Sequence, residues 1–229
     1  MTMQHTAQDA GQAPLLGDHL AMDALNTQAG IGANAVDFWR TGADVAAWFA
    51  RNGITPAPDA SLKDEAALLL AAQALRTIAR ELIEQRVAQR MAQLNAERNE
   101  EGSAEGSAEG NQAGSAGAAD RPGDPARLNP YLHAHLSAPH VETDAEGRVR
   151  LARRPLGDAA TQMLGTLAES VAQLLADGDF SLVKQCEHPD CVLWFYDRTK
   201  AHRRRWCSMG LCGNRVKAAQ FRKRANGAP

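Results

Sequence analysis

Cys186-Glu187-His188-Pro189-Asp190-Cys191 and, fifteen residues further on, Cys207-Ser208-Met209-Gly210-Leu211-Cys212 contain every cysteine of this 229-residue chain. The pattern C-x4-C-x15-C-x4-C forms two equal pairs with none left over. Such a set reads as a structural zinc site: each tight turn holds one pair, and the intervening segment brings the pairs together. Two disulfides, or four unrelated buried thiols, are the alternatives. Disulfides need an oxidising compartment, and residues 1–16 lack the basic start and apolar core of a secretory signal. His188 and His202 lie close enough in sequence to replace a thiol, although four cysteines already complete the shell. A closed shell has no position for an activated water, so zinc-dependent hydrolysis is not expected.

Leu182 to Arg224 is too short a segment to be stable on a hydrophobic core alone, so metal binding would supply much of its folding free energy. Replacing Cys207 or Cys212 with Ser is therefore expected to unfold this module and to leave the N-terminal helices intact. Val192 to Tyr196 has strand character. Asp197 to Arg203 reads as a polar turn, and Arg204 to Cys207 as the returning strand of a hairpin. Beyond Gly213, Val216, Ala219 and Gln220 share a helical face. Knuckle, hairpin, second pair and C-terminal helix together predict a treble-clef-like zinc finger.

Cys207 to Arg215, preceded by Arg205-Trp206, resembles the CGNR zinc finger, named for its Cys-Gly-Asn-Arg run, here Cys212-Gly213-Asn214-Arg215. Cys186-x4-Cys191, followed by Trp194-Phe195 and Asp197-Arg198, fits the same family. Members carry an N-terminal helical ABATE domain that begins with a Leu-Ala-Leu-Asp-x-x-Asn-Thr-like run, and Leu20-Ala21-Met22-Asp23-Ala24-Leu25-Asn26-Thr27 is similar to it. The resemblance implies a bacterial, stress-related transcription regulator that binds DNA, with one structural Zn2+ held by Cys186, Cys191, Cys207 and Cys212.

Working outward from the finger, the fold class is mainly α. A multihelical N-terminal domain with a small β-hairpin precedes the C-terminal treble-clef-like finger. Residues 1–16 read as a disordered lead, 17–180 as the helical ABATE-like domain and 181–226 as the CGNR-type finger. Thr41 and Asp44 suggest a capping box before Val45, Trp48 and Phe49. Apolar residues from Leu68 to Val87 recur at three- and four-residue steps, which predicts one long helix capped by Ser61 or Asp59 and running to about Leu94. A Gly/Ser/Glu-rich stretch at about residues 99–123 has the composition of a flexible insertion. Val141-Glu142-Thr143 and Arg148 to Leu151 flank a turn and predict a hairpin. A further helix follows from about Pro155, with Met163, Leu167, Val171 and Leu174 on its buried side.

The formal charge of −2 conceals an asymmetry. From residue 181 onward there are eleven Lys and Arg against three Asp and Glu, which makes this part +8 and the remainder −10. An acidic body with a basic tip points to an anionic partner. The leading expectation is a sequence-specific, DNA-binding transcription regulator. Arg198, Lys200, Arg203, Arg204 and Arg205 would meet phosphates from the hairpin, and Arg215, Lys217, Arg222, Lys223 and Arg224 from the helix. The body would sense a small-molecule effector or form a homodimer, with Asp23, Asn26 and Thr27 as candidate pocket residues. The alternatives are a module that docks an acidic protein through Trp194, Phe195 and Trp206, or an RNA binder whose aromatics stack on unpaired bases. The chain shows no phosphate loop, nucleophile elbow or acid/base pair, so an enzyme is not expected. No run is long and apolar enough to span a membrane, and a cytoplasmic protein without membrane partners is expected.

Overall fold

A computed structural model describes residues 11–30, 34–100 and 123–226. Most of the low-complexity insertion and residues 1–10 of the expected lead lie outside the described residues. Residues 11–16 of that lead are packed into the protein: Ala13 is buried in the core, and its carbonyl accepts from Arg51 Nη1 at 3.0 Å. Leu16 packs on the finger. Two apolar anchors and a cationic donor thus hold a stretch whose composition suggested none.

The body is built of helices. Helix α1 (Leu20–Leu25) buries Ala21, Met22, Ala24 and Leu25. Two short strands, β1 (Gln28–Ala29) and β2 (Val36–Asp37), pair antiparallel beside it. Helix α2 (Gly42–Arg51) starts at the expected capping box, with Asp44 N donating to Thr41 Oγ1 at 3.1 Å and Thr41 N donating to Asp44 Oδ2 at 3.0 Å. Gly53, at φ +73°, takes the left-handed conformation that glycine adopts without strain as the chain leaves α2. Helix α3 (Glu65–Glu100) is the predicted long helix. Its cap is Asp64, whose Oδ1 accepts from Ala67 N at 2.9 Å. Asp59 instead pairs with Arg154 at 2.6 Å, and the Ser61 carbonyl accepts from Ala159 N.

Leu68, Ala72, Leu75, Ala79, Leu82 and Ile83 of α3 pack against α2, α1 and helix α5 (Ala159–Asp177). Helix α5 begins at Asp158, whose Oδ1 accepts from Thr161 N at 2.9 Å, and buries Met163, Leu167, Val171 and Leu174. A short helix, α4 (Asn129–Ala134), leads into the predicted hairpin, β3 (Ser137–Thr143) and β4 (Val149–Pro155). The hairpin forms a separate two-stranded sheet, a ribbon tied to the body by Arg154 and Asp59.

Phe180, Val183 and Trp194 belong to the same buried cluster as α1, α3 and α5. The finger therefore continues the body's core instead of hanging from a tether. Among the described residues, no helix is long and apolar enough to cross a membrane.

Candidate metal centre and nucleic-acid interface

Strands β5 (Val183–Gln185) and β6 (Trp194–Tyr196) pair antiparallel, Gln185 opposite Trp194, and flank the first cysteine pair. Cys186 N continues the ladder by donating to the Leu193 carbonyl at 2.9 Å. Cys191 N donates to the His188 carbonyl at 2.9 Å, closing the knuckle. The second pair closes on Ser208: Leu211 N donates to its Oγ at 3.0 Å, and Cys212 N donates to its carbonyl at 3.2 Å. A single wide helical turn, Met209–Gly213, then leads into α6 (Asn214–Asn226).

The expected strand at Arg204 to Cys207 does not form. The buried Asp197 carboxylate takes its place as organiser of the loop. It accepts from Lys184 Nζ at 2.7 Å, Thr199 Oγ1 at 2.6 Å, Thr199 N at 3.1 Å and Arg204 N at 2.9 Å. Burial alone would raise its pKa, but these donors outweigh burial and hold the carboxyl well below its usual range. Arg204 N is committed to Asp197, and the partner of β6 is β5.

The four Sγ atoms lie within 4.8 Å of one another, with Cys191 to Cys207 at 3.8 Å and Cys207 to Cys212 at 3.6 Å. A tetrahedron with 2.3 Å metal–sulfur bonds has edges of about 3.8 Å, so the donors suit one zinc ion. Thiolates this close repel. Once Cys191 ionises, helped by a hydrogen bond from Cys207, the Cys207 thiol is held far above its ordinary range. A divalent cation shared by all four sulfurs offsets that repulsion. The two histidines are engaged elsewhere: His188 Nδ1 meets Asp190 N at 3.1 Å, and His202 Nδ1 lies 3.1 Å from the Asp197 carbonyl.

The finger's cations fall into two groups. Arg204 is the correction to the expected phosphate contacts. Its Nη2 donates to the Leu16 carbonyl at 2.9 Å and its Nε to the Trp206 carbonyl at 3.0 Å. It also bonds the Cys207 carbonyl and pairs with Asp18, and its guanidinium lies 4.2 Å from the centre of the Phe195 ring. Four of its five N–H donors are spent on the finger's own loop and on binding it to Leu16 and Asp18, which leaves little for a phosphate. Arg205 pairs with Glu187 at 2.6 Å and stacks over Trp206. Arg198, Lys200 and Arg203 are exposed on the loop, and Arg215, Lys217, Arg222, Lys223 and Arg224 are exposed along α6. The aromatics expected to anchor a protein partner are largely inside: Trp194 and Phe195 are buried, and Trp206 is half-buried against the cysteine cluster.

The polar residues of the Leu20–Thr27 run face the protein's own atoms. Asn26 is fully buried and grips the Trp194 peptide from both sides, Nδ2 donating to its carbonyl at 2.8 Å and Oδ1 accepting from its N–H at 2.8 Å. Asp23 Oδ1 accepts from Gly17 N at 2.7 Å, and burial pushes its pKa up to about 6. The Thr27 hydroxyl donates to the Ala24 carbonyl at 2.7 Å and accepts from Arg76 at 2.7 Å. Asn26→Ala would leave a buried N–H and a buried carbonyl of Trp194 unpaired, at about 1–3 kcal/mol each. Urea unfolding is therefore expected to show a loss of about 2–4 kcal/mol. A change within about 0.5 kcal/mol, the range of an ordinary surface substitution, would show that the seam does not depend on this amide.

Two family models match the chain. The CGNR zinc finger covers residues 183–225. The ABATE model, described as "Putative stress-induced transcription regulator", covers residues 18–178. Both are of regulator or zinc-finger type and neither is enzymatic. No curated protein matches the sequence. A helical body over residues 18–178 that ends in a cluster of four cysteines suited to one structural zinc agrees with both matches, and the chain belongs to the ABATE family with a C-terminal CGNR zinc finger.

Proposed function

We propose that this protein is a zinc-dependent transcription regulator that grips duplex DNA with its finger. The observation that carries the reading is α6. Its described side chains bear five cations and no acid, and every one of these cations is exposed. Along the helix only Val216 is half-buried, so α6 projects into solvent from the rigid base of the metal centre. A projecting helix of 13 residues is about 20 Å long and slim enough to enter a major groove. Arg198, Lys200 and Arg203 are exposed on the finger's loop, where they would add phosphate contacts.

The helical body would supply the input. Its effector site would lie between the starts of α3 and α5 and helix α4, where Ala67, Leu68, Ala71, Tyr131, Leu164 and Gly165 help line an open, mainly apolar cavity of about 310 Å³. Leu164 and Gly165 lie on α5, the helix that runs on to Phe180 and the first strand of the finger. The wholly internal bonding of Asp23, Asn26 and Thr27 favours this cavity over the α1 run as a ligand site.

Five to eight phosphate contacts give a log–log dependence of affinity on salt with a slope of about −4.5 to −7. Fluorescence anisotropy with the zinc-loaded full chain and a DNA site selected from genomic fragments tests this. Changing Arg222, Lys223 and Arg224 together to Ala is expected to make the slope shallower by about 3. Binding that ignores salt, or a triple variant with an unchanged slope, would count against the finger as the DNA contact. Preference for single-stranded RNA in direct competition would move the reading to RNA.

A further inference from the structure

The β3–β4 ribbon is amphipathic in the wrong sense for a surface hairpin. Its register places Ser137, Pro139, Val141 and Thr143 opposite Pro155, Arg153, Leu151 and Val149, so these eight residues share one face. All eight are exposed. Val141 is 62 % exposed, Val149 72 % and Leu151 75 %. The other face holds Ala138, His140, Glu142, Arg150, Ala152 and Arg154, and it lies toward the body: Arg154 pairs with Asp59 at 2.6 Å, and His140, Glu142 and Arg154 line a hollow against Ala57 and Pro58 that Arg153 and Pro155 reach from the end of the ribbon. The large aliphatic side chains, Val141, Val149 and Leu151, are turned outward, and most of the charged ones inward. An isolated two-stranded hairpin is at best marginally stable in water, and an apolar outer face is the opposite of what a free surface favours.

Three of the ribbon's four arginines are neutralised locally. Arg148 pairs with Asp144 and Glu146, Arg150 with Glu142, and Arg154 with Asp59. Arg153, the one charge on the outer face, donates to the Ser137 hydroxyl and carbonyl at 3.0 and 2.9 Å. A nucleic-acid arm needs free cations, and an acidic or basic protein partner needs unmatched charge of the opposite sign. This face offers a single cation, Arg153, which is too few for either. Apart from Pro122, residues 101–122 contain no apolar side chain larger than alanine, so their composition offers no aliphatic match to this face. Pro139 and Pro155 remove N–H donors from the two strands, which disfavours growth of the sheet at its edges and favours packing face on face.

We infer that the outer face of the β3–β4 ribbon is a two-fold interface to a second copy of this chain, with Val141, Val149 and Leu151 packing on the same residues of the partner. The aliphatic centre of the face, Val141, Val149 and Leu151, is complementary to itself in a two-fold arrangement, and the single cation Arg153 lies toward the end of the ribbon away from its turn. The choice of a second copy also rests on the DNA reading, since a chain with one projecting helix reads two half-sites only as a dimer. A ribbon about 24 Å long and 10 Å wide falls well short of the roughly 800 Å² per partner of a standard interface. The dimer is accordingly weak and concentration-dependent, with dissociation in the micromolar range.

Sedimentation equilibrium of the zinc-loaded full chain without DNA tests the inference over about 1–200 μM, a range that brackets micromolar dissociation. The weight-average mass is expected to climb from 24.6 kDa toward twice that value. Leu151→Glu sets two carboxylates against each other on the two-fold face and should hold the mass at one chain throughout. Leu151 is exposed, so zinc content and circular dichroism should be unchanged. Phe221→Glu, an equally exposed position on α6, should dimerise like the parent. A parent that stays monomeric, or a Leu151→Glu variant that still dimerises, overturns the inference. A dimer that fails to bind DNA overturns only the DNA reading, and a monomer that binds DNA overturns only the interface.

Discussion

Serine at position 207 is expected to leave the protein without zinc and to unfold the finger. Cys207 is fully buried and close to two other thiols, Cys191 at 3.8 Å and Cys212 at 3.6 Å. A hydroxyl there is a poor zinc ligand. The cluster around the cysteines contains little besides Leu193 and Phe195, with Leu16, Ala29 and Trp206 at its margin. Metal-linked folding in zinc fingers of this kind is worth about 10 kcal/mol, which so small an apolar cluster does not replace. The structure extends the expected loss beyond the finger. Arg204 loses its framework and releases Leu16 and Asp18, and β6 no longer holds the Trp194 peptide against Asn26. Helices α3 and α5 keep their mutual packing and should stay helical but melt at a lower temperature. Zinc content should fall from one ion per chain to nearly none. Limited trypsin should cut first at Arg203 to Arg205, and far-ultraviolet dichroism should fall only by about the share of α6. Full zinc retention with an unchanged tryptic pattern would defeat this expectation.

What could be read in advance depended on how far apart the interacting groups lie. The cysteine spacing carries its chemistry in a few local residues, so both knuckles were legible. The α2 capping box was equally local, its two partners only three residues apart. Long-range bonds were not legible. Arg203, Arg204 and Arg205 are identical by type, and nothing nearby marks the middle one. What distinguishes it are Leu16 and Asp18, 188 and 186 residues away. Asn26 offered the same difficulty. Its polarity in an apolar run suggested a ligand pocket, whereas its partner is a peptide group 168 residues away. The expected cap of α3, Ser61 or Asp59, gives way to Asp64 because the helix begins only at Glu65, and Asp59 pairs instead with Arg154 of the ribbon. The hairpin itself was visible from its turn and strand residues. Which of its faces meets the body follows from that same pair and from the packing at Ala57 and Pro58, neither of which is written into the alternation of the strands.

Asp37→Ala is expected to destabilise the body by about 3–5 kcal/mol, the cost of leaving a buried charge without its partner. Arg76 rises from α3 into the core and is only 3 % exposed. Two of its contacts are to Asp37, Nη1 to Oδ1 at 2.8 Å and Nη2 to Oδ2 at 2.5 Å, in the two-pronged geometry that suits guanidinium and carboxylate. The others are the Thr27 hydroxyl at 2.7 Å and the Trp39 ring, 4.9 Å from the guanidinium. Arg76 thus ties the end of the α1 run, strand β2 and the Trp39–Trp48 pair to the long helix. Burial tends to raise the Asp37 pKa, but Arg76 and the Trp39 N–H outweigh it and hold the carboxyl below its usual range. The pair therefore contributes fully above the unfolded carboxyl's pKa and is lost as pH falls through the lower folded value. Removing the carboxylate strands the guanidinium where water reaches it poorly, and a thermal melt should drop by about 10 °C. Replacing both partners, Asp37→Asn with Arg76→Met, should recover most of that loss, because no buried charge then remains unpaired. A single variant that melts within about 2 °C of the parent would mean that water or another acceptor reaches Arg76 at little cost. A double variant no more stable than the single one would show that the arginine's packing on Trp39, rather than its charge, carries the effect.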